Sequence, residues 1–78
     1  MITMYTTSWC GDCKRSKAFL DEKGVDYDEV DIEKDARAAK FVEKVNHGNR
    51  SVPTIVFDDG STLVEPTNEE LEKKLGLS

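Results

Sequence analysis

The chain reads as an α/β fold, a central four-stranded mixed sheet flanked by three helices in the order β-α-β-α-β-β-α. Three observations lead there. Short β-prone runs alternate with segments of helical period, and turn residues (Gly24, His47-Gly48-Asn49, Asp58-Asp59-Gly60) fall between them. A strand–helix–strand start followed by a hairpin and a closing helix makes a mixed sheet between helical layers. Seventy-eight residues with 37% hydrophobic and 35% charged content suit one small globular domain, residues 1–78, without linker or repeat.

Ile2 to Tyr5 is the first strand, and the polar turn Thr6-Thr7-Ser8 follows it. The first helix is expected to start at Gly11 or Asp12 and to stop at Gly24, a good residue just past a helix end. Ala18, Phe19 and Leu20 are its expected sheet-facing side chains. Val25 to Ile32 alternates Val25, Tyr27, Val30 and Ile32 with acids, which suits a second strand. Asp35 caps a second helix through about Asn46, with Ala38, Ala39, Phe41, Val42 and Val45 as its apolar face. Thr54 to Phe57 is the most β-prone run, and Asp58-Asp59-Gly60 turns it into Thr62-Leu63-Val64. Pro66-Thr67-Asn68 opens a last helix carrying Leu71 and Leu75, with Thr67 or Asn68 as its cap.

The formal charge of -5 argues against the electrostatic hold on nucleic acid that a basic face provides. No apolar run is long enough to span a bilayer. Met1-Ile2-Thr3-Met4 lacks the basic and apolar parts of a signal peptide, so a cytoplasmic location is expected; separately, a monomer is expected. The acids at Asp26–Glu33 and Glu69–Glu72 read as solvated faces balanced by Lys17, Lys23, Lys40 and Lys44. His47 is the only histidine and belongs to a helix-ending loop. With two cysteines it makes no zinc site, which wants four ligands at set spacing, so no metal is expected.

The chemistry lies in Trp9-Cys10-Gly11-Asp12-Cys13. Cys10 and Cys13 are the only cysteines, and a disulfide across two residues closes a tiny loop that removes little unfolded-chain entropy. Stapling is therefore not its purpose; a Cys-x-x-Cys pair between a strand and a helix is the arrangement of dithiol–disulfide exchange. Cys10 precedes the helix, where unpaired N–H groups and the helix dipole stabilise a thiolate, so Cys10 is the expected attacking sulfur. Cys13, in the first turn, is the expected resolving thiol. A carboxylate between them has two open roles: Asp12 raises the Cys10 pKa, or Asp12 is a helix cap. Lys14, Arg15 and Lys17 either assist the thiolate or form a solvated face. Trp9 shields Cys10 and touches the partner, the reading favoured over core filler.

The order of elements, the Cys-x-x-Cys and Ser51-Val52-Pro53-Thr54 before the third strand together resemble the thioredoxin fold in its minimal glutaredoxin form, over essentially the whole chain. Within that family the sequence is most similar to the mycoredoxin group, whose motifs match at Thr6–Cys13, Tyr27–Ile32, Asn49–Thr54 and Asp59–Leu63. Asp12 is a departure: related redoxins usually have an aromatic residue or proline there, tyrosine being common in the mycoredoxin group. The resemblance implies a cis bond between Val52 and Pro53 that turns the Val52 backbone toward the substrate for strand-like pairing. Thr7 stands where many glutaredoxins hold a lysine for a glutathione carboxylate. Thr62 to Asn68 likewise replaces their double-glycine and aspartate stretch, with Leu63 to Asn68 still placed to line the groove. Arg50, near the proline loop, is a candidate replacement cation, although an exposed loop arginine is the commoner explanation.

The expected activity is therefore reduction of mixed disulfides between proteins and a low-molecular-weight thiol. That thiol is a co-substrate rather than a bound cofactor, and mycothiol or bacillithiol is favoured over glutathione. Two alternatives stand beside it. A thioredoxin-like donor, for example to ribonucleotide reductase, would take electrons from a flavoprotein disulfide reductase; such redoxins carry Trp-Ser-Gly-Phe near the last helix, which Glu65-Pro66-Thr67-Asn68 does not match. A module holding an iron–sulfur cluster between two subunits would use one cysteine from each, and the intact Cys13 argues against it.

Overall fold

β-Branched residues and an alternating inward face make Ile2–Thr6 the strand on which the sheet is built, β1. In the computed structural model, which describes residues 1–76, Ile2, Met4 and Thr6 of this strand are buried and Thr3 and Tyr5 are half-buried between them. The chain continues as α1 (Gly11–Glu22), β2 (Tyr27–Asp31), α2 (Ala36–Val45), β3 (Thr54–Val56), β4 (Thr62–Val64) and α3 (Asn68–Leu75), the expected order. Leu77 and Ser78, the end of the expected single domain, lie outside the described residues.

The sheet runs β2-β1-β3-β4. β1 and β2 are parallel, with Met4 opposite Glu29, as a βαβ unit requires. β3 is antiparallel to both β1 and β4, with Ile55 opposite Met4 on one side and Leu63 on the other. Two apolar layers result. Ile2, Met4 and Ile55 meet Phe19 and Leu20 of α1 and Leu71 of α3. Ile32 and Val52 meet Ala38, Ala39 and Val42 of α2, and this second layer also takes in Cys10 and Cys13. The reactive sulfurs thus sit at one end of the core.

The helix ends obey local chemistry. Asp35 caps α2 by accepting from the amides of Arg37 (3.0 Å) and Ala38 (3.2 Å). Thr67 and Glu70 form a reciprocal capping box on α3. Gly24 follows the α1 cap with φ +69°, where a side chain would be strained.

Some boundaries and faces differ from expectation. β1 extends to Thr6, whereas β2 and β3 are shorter than the apolar runs that predicted them. Ala18 is exposed, because the buried stripe of α1 runs through Cys13, Ser16, Phe19 and Leu20. Phe41 is 37% exposed; its ring leans on Tyr5 at 5.1 Å between centroids instead of entering the core.

Candidate active site

Cys10 ends the loop after β1 and serves as the N-cap of α1, with extended backbone and its sulfur in the place a serine or aspartate oxygen would take. The Cys13 amide donates to Cys10 Sγ at 3.0 Å. The Lys14 amide donates to the Cys10 carbonyl at 3.3 Å, so the sulfur and the carbonyl of Cys10 both serve the first helical turn. The two cysteines are joined as a disulfide with 5.2 Å between their Cα atoms. Both are buried, Cys10 at 6% exposure and Cys13 at 1%, so Cys10 is the more exposed residue of the pair.

Opposite the sulfur lies the Val52 carbonyl, 3.6 Å from Cys10 Sγ, a distance a thiol S–H spans once the disulfide is reduced. The peptide bond from Val52 to Pro53 is cis, as the resemblance implied. Its loop is held from three directions. Thr54 Oγ1 donates to the Ser51 carbonyl at 2.7 Å and accepts from Asn46 Nδ2 at 3.1 Å. Asn46 in turn donates to Val42 in the last turn of α2. On the far side, the Glu65 amide donates to the Pro53 carbonyl at 2.8 Å. Val52, Pro53 and Thr54 are all buried, which leaves the loop little freedom.

The remaining expected site residues divide between this centre and its surroundings. Thr7 is buried directly behind Cys10; its carbonyl accepts from the Cys10 amide at 3.5 Å, and its Oγ1 has no protein partner among the described residues. Trp9 is 71% exposed, so it is not core filler. Asp12 lies in the first turn of α1 and pairs with Arg15 at 3.5 Å; the cap itself is the Cys10 sulfur. Arg15 also donates to Asn68 Oδ1 and to the Pro66 carbonyl, both at 3.1 Å, and so ties α1 to the segment Leu63–Asn68. Arg50 is turned to α2, where its Nε donates to Glu43 at 2.8 Å. Lys17 pairs with Glu29 at 2.9 Å on β2, as an acid-balancing lysine. Among the described residues no group of three or more His, Cys, Asp or Glu side chains converges in a way that could hold a metal ion.

One contact was not legible beforehand. Glu33, between β2 and α2, accepts from the Ser8 amide (3.4 Å), the Ser8 hydroxyl (3.1 Å) and the Trp9 indole N–H (3.1 Å). The Ser8 amide and the Trp9 indole hold its carboxyl below the usual carboxylate range. In the sequence it is one acid in a run of acids, and its partners lie 24 and 25 residues away.

Comparison with known proteins agrees with this geometry. The glutaredoxin family model matches residues 2–61. Mycoredoxin 1 of Corynebacterium glutamicum is 38% identical over 95% of this chain and 91% of its own length. A Mycobacterium tuberculosis chain named for the glutaredoxins is 55% identical over 95% of this chain and 88% of its own. Among solved structures, the thioredoxin-like protein BC3987 superposes with a TM-score of 0.82 at 33% identity, covering 94% of this chain and 97% of that one. Glutaredoxin from Archaeoglobus fulgidus gives 0.75 at 33% identity, covering 95% and 84%.

Proposed function

Because the chain belongs to the glutaredoxin family and is a thiol–disulfide oxidoreductase, we propose that it reduces mixed disulfides between proteins and a low-molecular-weight thiol, with Cys10 as the attacking sulfur. The observation that carries this is the Cys13 amide directed at Cys10 Sγ at the start of α1. An N–H aimed at sulfur in the first turn of a helix favours the thiolate over the thiol.

The Cys10 thiolate attacks the sulfur of the small thiol in the mixed disulfide. A Cys10–small-thiol disulfide forms as the old bond breaks, and the target's thiolate leaves and takes a proton from water. Two exits then exist. A second molecule of the small thiol attacks the adduct as a thiolate, giving the free Cys10 and the oxidised small thiol. Alternatively Cys13, deprotonated, attacks Cys10 Sγ, expels the small thiol and leaves the Cys10–Cys13 disulfide, which then requires two electrons from outside.

The groove for the small thiol is formed by Trp9, Val52 and Pro53 with the segment Leu63–Asn68, which Arg15 holds against α1. Val52 offers its backbone to the substrate, and Trp9 covers the outer side. Thr7 supplies no cation for a glutathione carboxylate, and Arg50 is engaged with Glu43. Mycothiol or bacillithiol is therefore the preferred co-substrate, a reading in keeping with the 38% identity to mycoredoxin 1.

The test offers the reduced protein one model protein carrying mycothiol, bacillithiol or glutathione in turn, and separately offers the oxidised protein to a flavoprotein disulfide reductase. Release of mycothiol or bacillithiol faster than glutathione supports the proposal. Reduction by the flavoprotein without release of any small thiol would make this a thioredoxin-like donor instead.

A further inference from the structure

Glu33 belongs to neither active-site motif, yet it holds the loop that delivers Cys10. Its backbone amide donates to Asp31 Oδ1 at 2.9 Å, which fixes the turn leaving β2. From there its carboxylate crosses to the loop after β1, one oxygen taking both Ser8 donors and the other taking the Trp9 indole N–H at 3.1 Å. Trp9 is the sole tryptophan and is 71% exposed. An exposed aromatic ring ordinarily samples several rotamers, and here its one polar atom is tied to a separate element.

We propose that Glu33 is a positioning residue of this enzyme, fixing the Trp9 ring beside Cys10 as a preformed platform for the apolar part of the protein that bears the disulfide. This rests on the reading of Trp9 as the residue that touches the partner. A ring already held in place spares the complex the cost of ordering it, whereas a free ring must be immobilised at each encounter. The clamp therefore acts on binding, and bond exchange at Cys10 proceeds as before. A carboxylate suits this task because it accepts all three hydrogen bonds at once, and charge-assisted bonds of this kind are the strong ones.

The test compares the parent with Glu33→Ala in the reduced state. Time-resolved fluorescence anisotropy of Trp9 reads ring motion without turnover, and Glu33→Ala should enlarge the fast, local component. Steady-state kinetics are then run on a peptide mixed disulfide and, with dithiothreitol as electron source, on the interchain disulfides of insulin. Glu33→Ala should raise KM about three- to tenfold, the cost of immobilising one side chain, and change kcat less than twofold. In a Trp9→Phe background, which keeps a ring but lacks the N–H, the same substitution should move KM much less. Unchanged anisotropy, a loss confined to kcat, or an equal KM change in both backgrounds would overturn the clamp. Failure on the mixed disulfide with normal insulin reduction would instead remove the proposed function, and the insulin arm would still decide the role of Glu33.

Discussion

The backbone amide of Cys13 donates to the sulfur of Cys10 across 3.0 Å, at the N-terminal end of a twelve-residue helix. One interaction thereby caps α1 and makes the two sulfurs unequal. Cys10 is expected to titrate below the ordinary thiol value, because the amide favours the thiolate. The alkylation rate of the reduced protein with iodoacetamide, followed against pH in Cys13→Ser, reads this directly. An inflection at or above the ordinary value would mean that the amide does not govern the thiolate.

Asp12 places a carboxylate in the same turn, and Arg15 stands 3.5 Å from it with both side chains well exposed. Asp12→Asn is expected to lower the Cys10 pKa, by removing a negative charge that disfavours the thiolate. Arg15→Gln is expected to raise it, by uncovering Asp12. The same alkylation profile checks both, and a rise on Asp12→Asn would reverse the assigned sign.

Loss of the α3 cap has a predictable cost. Thr67 accepts from the Glu70 amide at 3.1 Å, and Glu70 accepts from the Thr67 amide at 2.9 Å. Thr67→Ala should reduce unfolding free energy by about 1 kcal/mol, measured as a lower urea midpoint at unchanged slope. The chain should remain folded at about 25 °C, because α3 still anchors through Leu71 in the core layer away from Cys10.

Alkaline stability tests Tyr27. Burial, with a hydrogen bond to Asp21 at 3.0 Å, pushes its phenol up to about 12. The folded pKa exceeds the unfolded value of about 10, so this contribution is fully present below about 10 and is lost as pH rises toward 12. The stability gap between the parent and Tyr27→Phe should narrow over that window. A constant gap would mean that Tyr27 ionises equally in both states.

Much of this was legible in the residues themselves. Gly24, Asp35, Asn46 and Asp58-Asp59-Gly60 marked element ends because their backbone or side-chain chemistry is local. Cys10, Cys13, Val52 and Pro53 were legible because two motifs at a set separation converge when a βαβ unit closes on a hairpin; the structure brings Cys10, Cys13 and Val52 into one buried cluster. Side-chain facing was less so. Ala18 and Phe41 are apolar and within reach of the core, but the α1 stripe passes through the small polar Ser16, and Phe41 finds Tyr5 at the surface. Glu33 and Arg50 illustrate the remaining gap. Each forms hydrogen bonds whose partners only the tertiary fold selects, Ser8 and Trp9 for the first and Glu43 for the second.

The most direct test traps the reaction halfway. Cys13→Ser, reduced and mixed with a protein carrying mycothiol or bacillithiol, should release the target's free thiol and hold the small thiol on one residue, located by peptide mass spectrometry. The account predicts that adduct on Cys10, and no exchange at all in Cys10→Ser. An adduct elsewhere, or a lasting disulfide between Cys10 and the target protein with no small thiol retained, would contradict it.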